Sequence, residues 1–174
     1  MSQPAAYSTE SFDAAEFRAF MARFPTGVAV VTTLDEHGMP RGMTCSSVCS
    51  VTLSPPTLLV CLRAASPTVE AVLARGAFSV NLLHDGASGV ARLFASGAPD
   101  RFDRIDWRIG AAAAGPHLHE MAHAIADCVV SRADLVGDHV VVFGEVAAVS
   151  HPTEYEPLLY GLHRYAAWPA AEPA

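Results

Sequence analysis

Apolar residues recur along the chain first at helical and then at strand spacing. Phe17, Phe20, Met21 and Phe24 fall at i, i+3, i+4 and i+7, which lines one face of a helix, so a helix is predicted from Ser11 to about Phe24. Ser11 serves as its N-cap, Asp13 and Glu16 sit near the positive end, and Pro25 stops it. The spacing then changes. Gly27 to Leu34 is β-branched and reads as a strand. Asp35-Glu36-His37-Gly38 is a turn, and Met39 to Ser47 is the hairpin partner. Beyond it the chain becomes a loop of small hydroxyls and thiols, stopped by Pro55-Pro56. Thr57 to Arg63 is a third strand. Ser66-Pro67-Thr68 opens a short helix through Ala74, with Ser66 at the N-cap and Pro67 at N1, and Gly76 ends it. Ala77 to Leu83 is a fourth strand and Gly86 to Ser96 a helix. Residues 97–118 form an irregular excursion. Ala124 to Leu135 and His139 to Ser150 are two long strands joined by Val136-Gly137-Asp138.

About six strands, three short helices and hairpin-like connections give a mainly β protein. No βαβα rhythm and no GxGxxG is present, which argues against a doubly wound dinucleotide fold. A small antiparallel barrel with short peripheral helices is expected. One domain spans residues 11–168, between a flexible lead-in over 1–10 and a flexible tail over 169–174. The strand His139 to Ser150 shows little polar alternation. It is expected to be covered on both faces, the outer cover being a second subunit, so a homodimer is predicted.

Composition narrows the chemistry. All 11 basic residues are Arg and none is Lys, which removes Schiff-base chemistry, pyridoxal attachment and a Walker-type phosphate loop. An anion must be held by Arg, backbone N–H groups or helix ends. The net charge of −7 argues against non-specific nucleic-acid binding. No apolar run is long enough to span a membrane, and no secretory signal is evident at the start. Cys45, Cys49, Cys61 and Cys128 lack zinc-type CxxC spacing and read as reduced thiols in a cytoplasmic protein.

Gly42-Met43-Thr44-Cys45-Ser46-Ser47-Val48-Cys49-Ser50 is the central stretch. Side chains this small let a flat, hydrogen-bonding ring lie against backbone N–H groups. Read locally, it serves equally as a Ser-rich connector. Ser66 and Thr68 at a helix start offer free N–H groups and hydroxyls to a phosphate, or simple capping. Asp138-His139 is a hairpin turn that can also present an imidazole to a ligand over the barrel mouth. Arg101, in Asp100-Arg101-Phe102, can pair with an anion or form a surface ion pair. His119-Glu120-Met121-Ala122-His123 matches HExxH, the helix-borne zinc pair of metallopeptidases. Gly115-Pro116 leaves little helix before it, so no metal site is expected.

Taken in order, several short runs resemble the short-chain flavin reductase family, the reductase components of two-component flavin-dependent monooxygenases. They are Phe24-Pro25-Thr26-Gly27-Val28, Gly42 to Ser47, Ser50-Val51 with Pro55-Pro56, and Ser66-Pro67-Thr68. Phe78-Ser79-Val80-Asn81, Asp100-Arg101-Phe102, Gly137-Asp138-His139 and Gly144-Glu145-Val146 follow. The resemblance covers residues 16–166. It implies a dimeric split β-barrel that binds FAD or FMN and uses NADH or NADPH to supply reduced flavin to a partner monooxygenase. By the same resemblance Thr26, Thr44, Cys45, Ser46, Ser47, Cys49 and Ser50 contact the flavin. Ser66 and Thr68 hold phosphate, Arg101 assists, and Asp138 and His139 lie by the nicotinamide. His139 there positions the ring and takes no acid–base role. Val48 departs from a common family aromatic. Two other readings are a flavin-binding module without reductase activity and an HExxH zinc hydrolase.

Overall fold

The chain enters through α1 (Ala14–Met21) and then lays down five strands: β1 (Thr26–Gly27), β2 (Ala29–Leu34), β3 (Pro40–Cys45), β4 (Val48–Leu53) and β5 (Pro56–Arg63). After α2 (Pro67–Arg75) come β6 (Ala77–Leu83), a single 3-10 turn at Asp85–Ala87 and α3 (Ser88–Ser96). An irregular excursion leads to β7 (Ala122–Val136), β8 (His139–Ser150), β9 (Leu158–Gly161) and β10 (Arg164–Ala167). This computed structural model describes residues 13–110 and 112–169. The expected lead-in, the Ser11 cap and all of the expected tail but Pro169 lie outside them.

Seven strands form one antiparallel sheet in the order β3-β2-β6-β7-β8-β5-β4, and β1-β9-β10 form a small second sheet. The large sheet curls until its first edge returns to the other side. Cys45 Sγ of β3 reaches Cys61 O of β5 at 3.6 Å, beside the Cys61 N–H to Ser47 O bond that continues the β4–β5 ladder. The result is a barrel split along the seam between β3 and β4, as predicted. Its interior holds Val31, Val60, Leu62, Phe78, Val80 and Val142, closed by Val69 and Val72 of α2. A second core lies outside β2, where Val28 and Val30 meet Phe94 of α3, Phe102, Leu118 and Leu158 of β9. Because β2 is buried on both faces, it has no polar alternation.

The structure corrects several expectations. The stretch after Ser47 is a strand, not a loop. Val48 pairs with Val60, Cys49 with Leu59 and Thr52 with Thr57, around an irregularity at Val51. Backbone pairing at a sheet edge tolerates small hydroxylated side chains that give no hydrophobic signal. Helix α1 is shorter than expected and is capped by Asp13, whose Oδ1 accepts from Ala15 N–H at 2.9 Å. The residues after Pro157 form two strands. In β8 the first half alternates between partly and fully buried positions, and Ala147 to Ser150 are exposed in the single chain, which leaves free the face expected to be covered by a second subunit.

The excursion is held by a buried polar network. Asn81 Nδ2 donates to Val30 O, Thr32 Oγ1 and Pro116 O at 3.0–3.3 Å, and its Oδ1 accepts from Leu118 N–H at 2.9 Å. Ser79 Oγ donates to Asp127 Oδ1 at 2.6 Å. Asp127 also accepts from Ala114 N–H at 2.9 Å and pairs with His117 Nε2 at 2.9 Å. Each buried polar group there finds a partner, which fixes a segment that has little regular structure of its own.

Candidate functional site

The turn between β3 and β4 forms the floor of a large cleft. Ser46 and Ser47 make that turn, and with Thr26, Val48 and Cys49 they line a space of about 610 Å³. Its walls are Phe17 and Met21 from α1, Phe24 just beyond it, Leu59 from β5 and Tyr160 from β9. An adjoining hollow of about 330 Å³ shares Phe24, Thr26, Ser46 and Val48. Thr26 reaches this position because β1 pairs with β9, opposite Tyr160. The cleft's size suits a small-molecule ligand, and apolar walls over a few small polar groups suit a flat heteroaromatic ring.

Four of the predicted ring-binding residues (Thr26, Ser46, Ser47 and Cys49) come together here. Three do not. Thr44 Oγ1 donates to Ala91 O of α3 at 2.6 Å. Cys45 is buried, and burial pushes its thiol up to about 11, so at neutral pH it is a protonated packing group. Ser50 is exposed on β4 and does not line the cleft. The cleft is thus lined by the turn and the start of β4, Ser46 to Cys49, and not by the strand residues on either side.

A second group gathers at the far end of β5. Ser66 caps α2, its Oγ accepting from Thr68 N–H at 3.1 Å. Thr68 is fully buried, and its Oγ1 has no hydrogen-bond partner among the described residues. The β7–β8 turn lies alongside. Ala64 N–H donates to Asp138 O at 2.9 Å, and Arg63 is the register partner of His139. His139 Nδ1 and Asp138 Oδ1 are 2.8 Å apart. That hydrogen bond and the charge of His139 hold the Asp138 carboxyl below its usual range, with Arg63 adding to the effect. Arg63 is a residue the motif reading missed. The available signal was a strand ending in Arg immediately before a capped helix. A cation, a helix start and an unsatisfied buried hydroxyl fit a phosphate better than capping alone.

Arg101 is placed elsewhere. Its Nε donates to Gly42 O at 2.9 Å and its Nη1 to Ala98 O at 2.7 Å, with the Phe94 and Phe102 rings each 6.0 Å away. It ties the excursion to β3. The HExxH run has no helix to stand on. His119 and Glu120 lie in a turn and His123 is the second residue of β7, so the i, i+4 geometry that the zinc reading needs is lost.

A split antiparallel barrel with a ring-sized cleft at its seam and a phosphate-ready helix start nearby defines a class of nucleotide-binding barrels. The comparisons with known proteins agree. Residues 21–169 match the model of the flavin reductase like domain, and the chain belongs to that family. It is 50% identical over 155 residues to a flavin reductase (NADPH) of Lentzea aerocolonigenes, covering 89% of this chain and 90% of that protein. It is 34% identical over 160 residues to the reductase subunit HsaB of a flavin-dependent monooxygenase from Rhodococcus jostii, covering 92% and 80%. Among solved structures, an NADH:FAD oxidoreductase of Streptomyces globisporus in complex with NAD and FAD fragments superposes with a TM-score of 0.84 at 34% identity, covering 91% and 94%.

Proposed function

We propose that this chain is an NAD(P)H-dependent flavin reductase that supplies reduced FAD or FMN to a flavin-dependent monooxygenase. The observation that carries the reading is the cleft at the seam, with small polar side chains below and aromatic and aliphatic walls above. Leu59 and Arg63 are four residues apart on β5, roughly 13 Å at strand rise. An extended flavin nucleotide could span that length, with its ring against Ser46 and Ser47 and its phosphate toward Ser66, Thr68 and Arg63.

When bound, the flavin supplies the hydride acceptor and the reduced nicotinamide the donor, so the chemistry belongs to the two rings. The work left to the chain is positioning. Thr26, Ser46 and Ser47 offer hydroxyls and backbone groups to the ring's polar edge, and donors aimed at an edge that gains negative charge favour reduction. Phe17, Met21, Phe24 and Leu59 exclude water. Asp138 orients His139, which we place beside the nicotinamide. His139→Ala is expected to raise the nicotinamide KM more than it weakens flavin binding, and unchanged kinetics would take His139 out of the site.

The working form in this reading is a cytoplasmic homodimer. Its support is the apolar face of α1, which has no buried residue in the single chain, and four cysteines that are all free. No helix among the described residues is long and apolar enough to cross a membrane. The direct test mixes purified protein with NADH or NADPH and catalytic FAD, FMN or riboflavin. Nicotinamide absorbance is expected to fall only when flavin is present. Flavin binding without nicotinamide oxidation would leave a binding module in place of a reductase.

A further inference from the structure

We propose that Arg18 and His163 form a clamp for a dinucleotide phosphate in the cleft, distinct from the flavin phosphate placed at Ser66 and Thr68. This rests on reading that cleft as the nucleotide site. Arg18 comes from α1 and His163 from the turn between β9 and β10, and both line it. The chain has 18 acidic residues against 11 basic ones, yet none of the cleft's described lining residues is Asp or Glu. Neither the guanidinium nor the imidazole has a hydrogen-bond or ion-pair partner among the described residues. An acid-free lining that can carry positive charge, in a protein of net charge −7, favours an anion at that spot and repels little that approaches it.

The backbone joins the two residues. Ala22 N–H donates to Arg18 O at 2.9 Å, and Leu162 N–H donates to Ala22 O at 2.6 Å. The β9–β10 turn is thereby fastened to the end of α1, one turn beyond Arg18. At that turn Leu162 and His163 have φ of 50° and 58°, the left-handed region that Gly and Asn normally fill in tight hairpins. An imidazole in that conformation is a local disadvantage, and such outliers gather at ligand sites. Phosphate is the anion assigned because both reactants of the proposed reaction carry one. A guanidinium fork with a neighbouring imidazole is suited to its oxygens.

The test measures binding at low salt for the wild type, Arg18→Met, Arg18→Lys and His163→Asn, the last keeping a residue that tolerates the turn. Riboflavin, FMN and FAD are followed by flavin fluorescence; dihydronicotinamide riboside, NADH and NADPH by nicotinamide fluorescence. Arg18→Met and His163→Asn are expected to weaken either FAD or the pair NADH and NADPH about tenfold and to leave FMN, riboflavin and dihydronicotinamide riboside unchanged. Arg18→Lys recovers most of the loss. The series that responds identifies whose phosphate is held. Equal weakening of phosphorylated and unphosphorylated ligands would overturn the clamp, as would no change in either variant. Ser46→Phe, which fills the cleft, separates the failures. If it abolishes flavin binding while the clamp variants do nothing, the cleft reading stands and the clamp falls. If it changes nothing, both fall.

Discussion

Thr68 and Thr32 are both fully buried hydroxyls, and the structure gives them opposite energetic roles. Thr32 Oγ1 donates to Pro116 O at 2.6 Å and accepts from Asn81 Nδ2 at 3.0 Å. Thr32→Val removes both bonds, leaving Asn81 Nδ2 and Pro116 O with their mutual contact at 3.3 Å, and is expected to cost about 1 kcal/mol in denaturant unfolding. Thr68 Oγ1 makes no bond, so Thr68→Val is expected to leave stability unchanged or slightly raised while weakening FMN binding. A large stability loss in Thr68→Val would mean that its hydroxyl is structural. Asp127 gives a pH prediction of definite sign. Burial alone pushes its carboxyl up, but hydrogen bonds from His117, Ser79 and Ala114 N–H outweigh it and leave the pKa lowered. A carboxyl depressed in the folded state stabilises above the unfolded value, near 3.9, and that contribution is lost as pH falls through the folded value. Urea midpoints are therefore expected to drop below about pH 4, and Asp127→Asn to flatten that drop. An identical acid limb in the variant would remove Asp127 as its source.

Strands carry the next level of specificity, and Gly144 in β8 shows how tightly they pack. A Cβ there would lie 2.5 Å from Phe78 Cζ and 2.8 Å from Cys128 Cβ. Both neighbours are fully buried in the barrel core, so neither can swing away. Gly144→Ala is expected to lower stability by about 1–3 kcal/mol, read as a fall in the denaturant midpoint. A variant as stable as the wild type would mean that the barrel wall can move there. The same scale explains what could be read in advance. Ala77–Leu83 and His139–Ser150 were legible residue for residue, because each is a largely apolar run that starts straight after a Gly or a tight turn. β4 was not, since an exposed edge strand of Ser, Cys and Thr has the composition of a loop and is held by backbone pairing with β5. The cleft was half legible. Ser46 and Ser47 stood out as small residues, but its walls come from α1 and β9, and sequence order gives no sign that those elements meet. Arg63 and His163 stayed hidden because each is an ordinary residue until a register partner or a strained turn gives it a position.

At the scale of the whole molecule, the single chain leaves much of its apolar surface uncovered. Phe17, Phe20, Met21 and Phe24 were predicted to line one face of a helix, and all four are exposed, Phe20 at 68%. Leu135 and Val136 at the end of β7 are likewise bare. An amphipathic helix whose apolar face is exposed among the described residues is a candidate interface. Burying a Phe side chain is worth about 1.5–3 kcal/mol, so four such groups make a substantial part of a stable contact. Phe20 is the informative position, since it belongs to the apolar stripe but does not line the cleft. Wild-type protein is expected to sediment at twice the mass of one chain at micromolar concentration, and Phe20→Glu to sediment as a single chain. Because Phe17 and Met21 wall the cleft from the same helix, the monomeric variant is also expected to bind FMN more weakly. If Phe20→Glu stays dimeric, the interface lies away from α1. If it dissociates and still binds FMN as tightly as the wild type, each cleft is complete within its own chain.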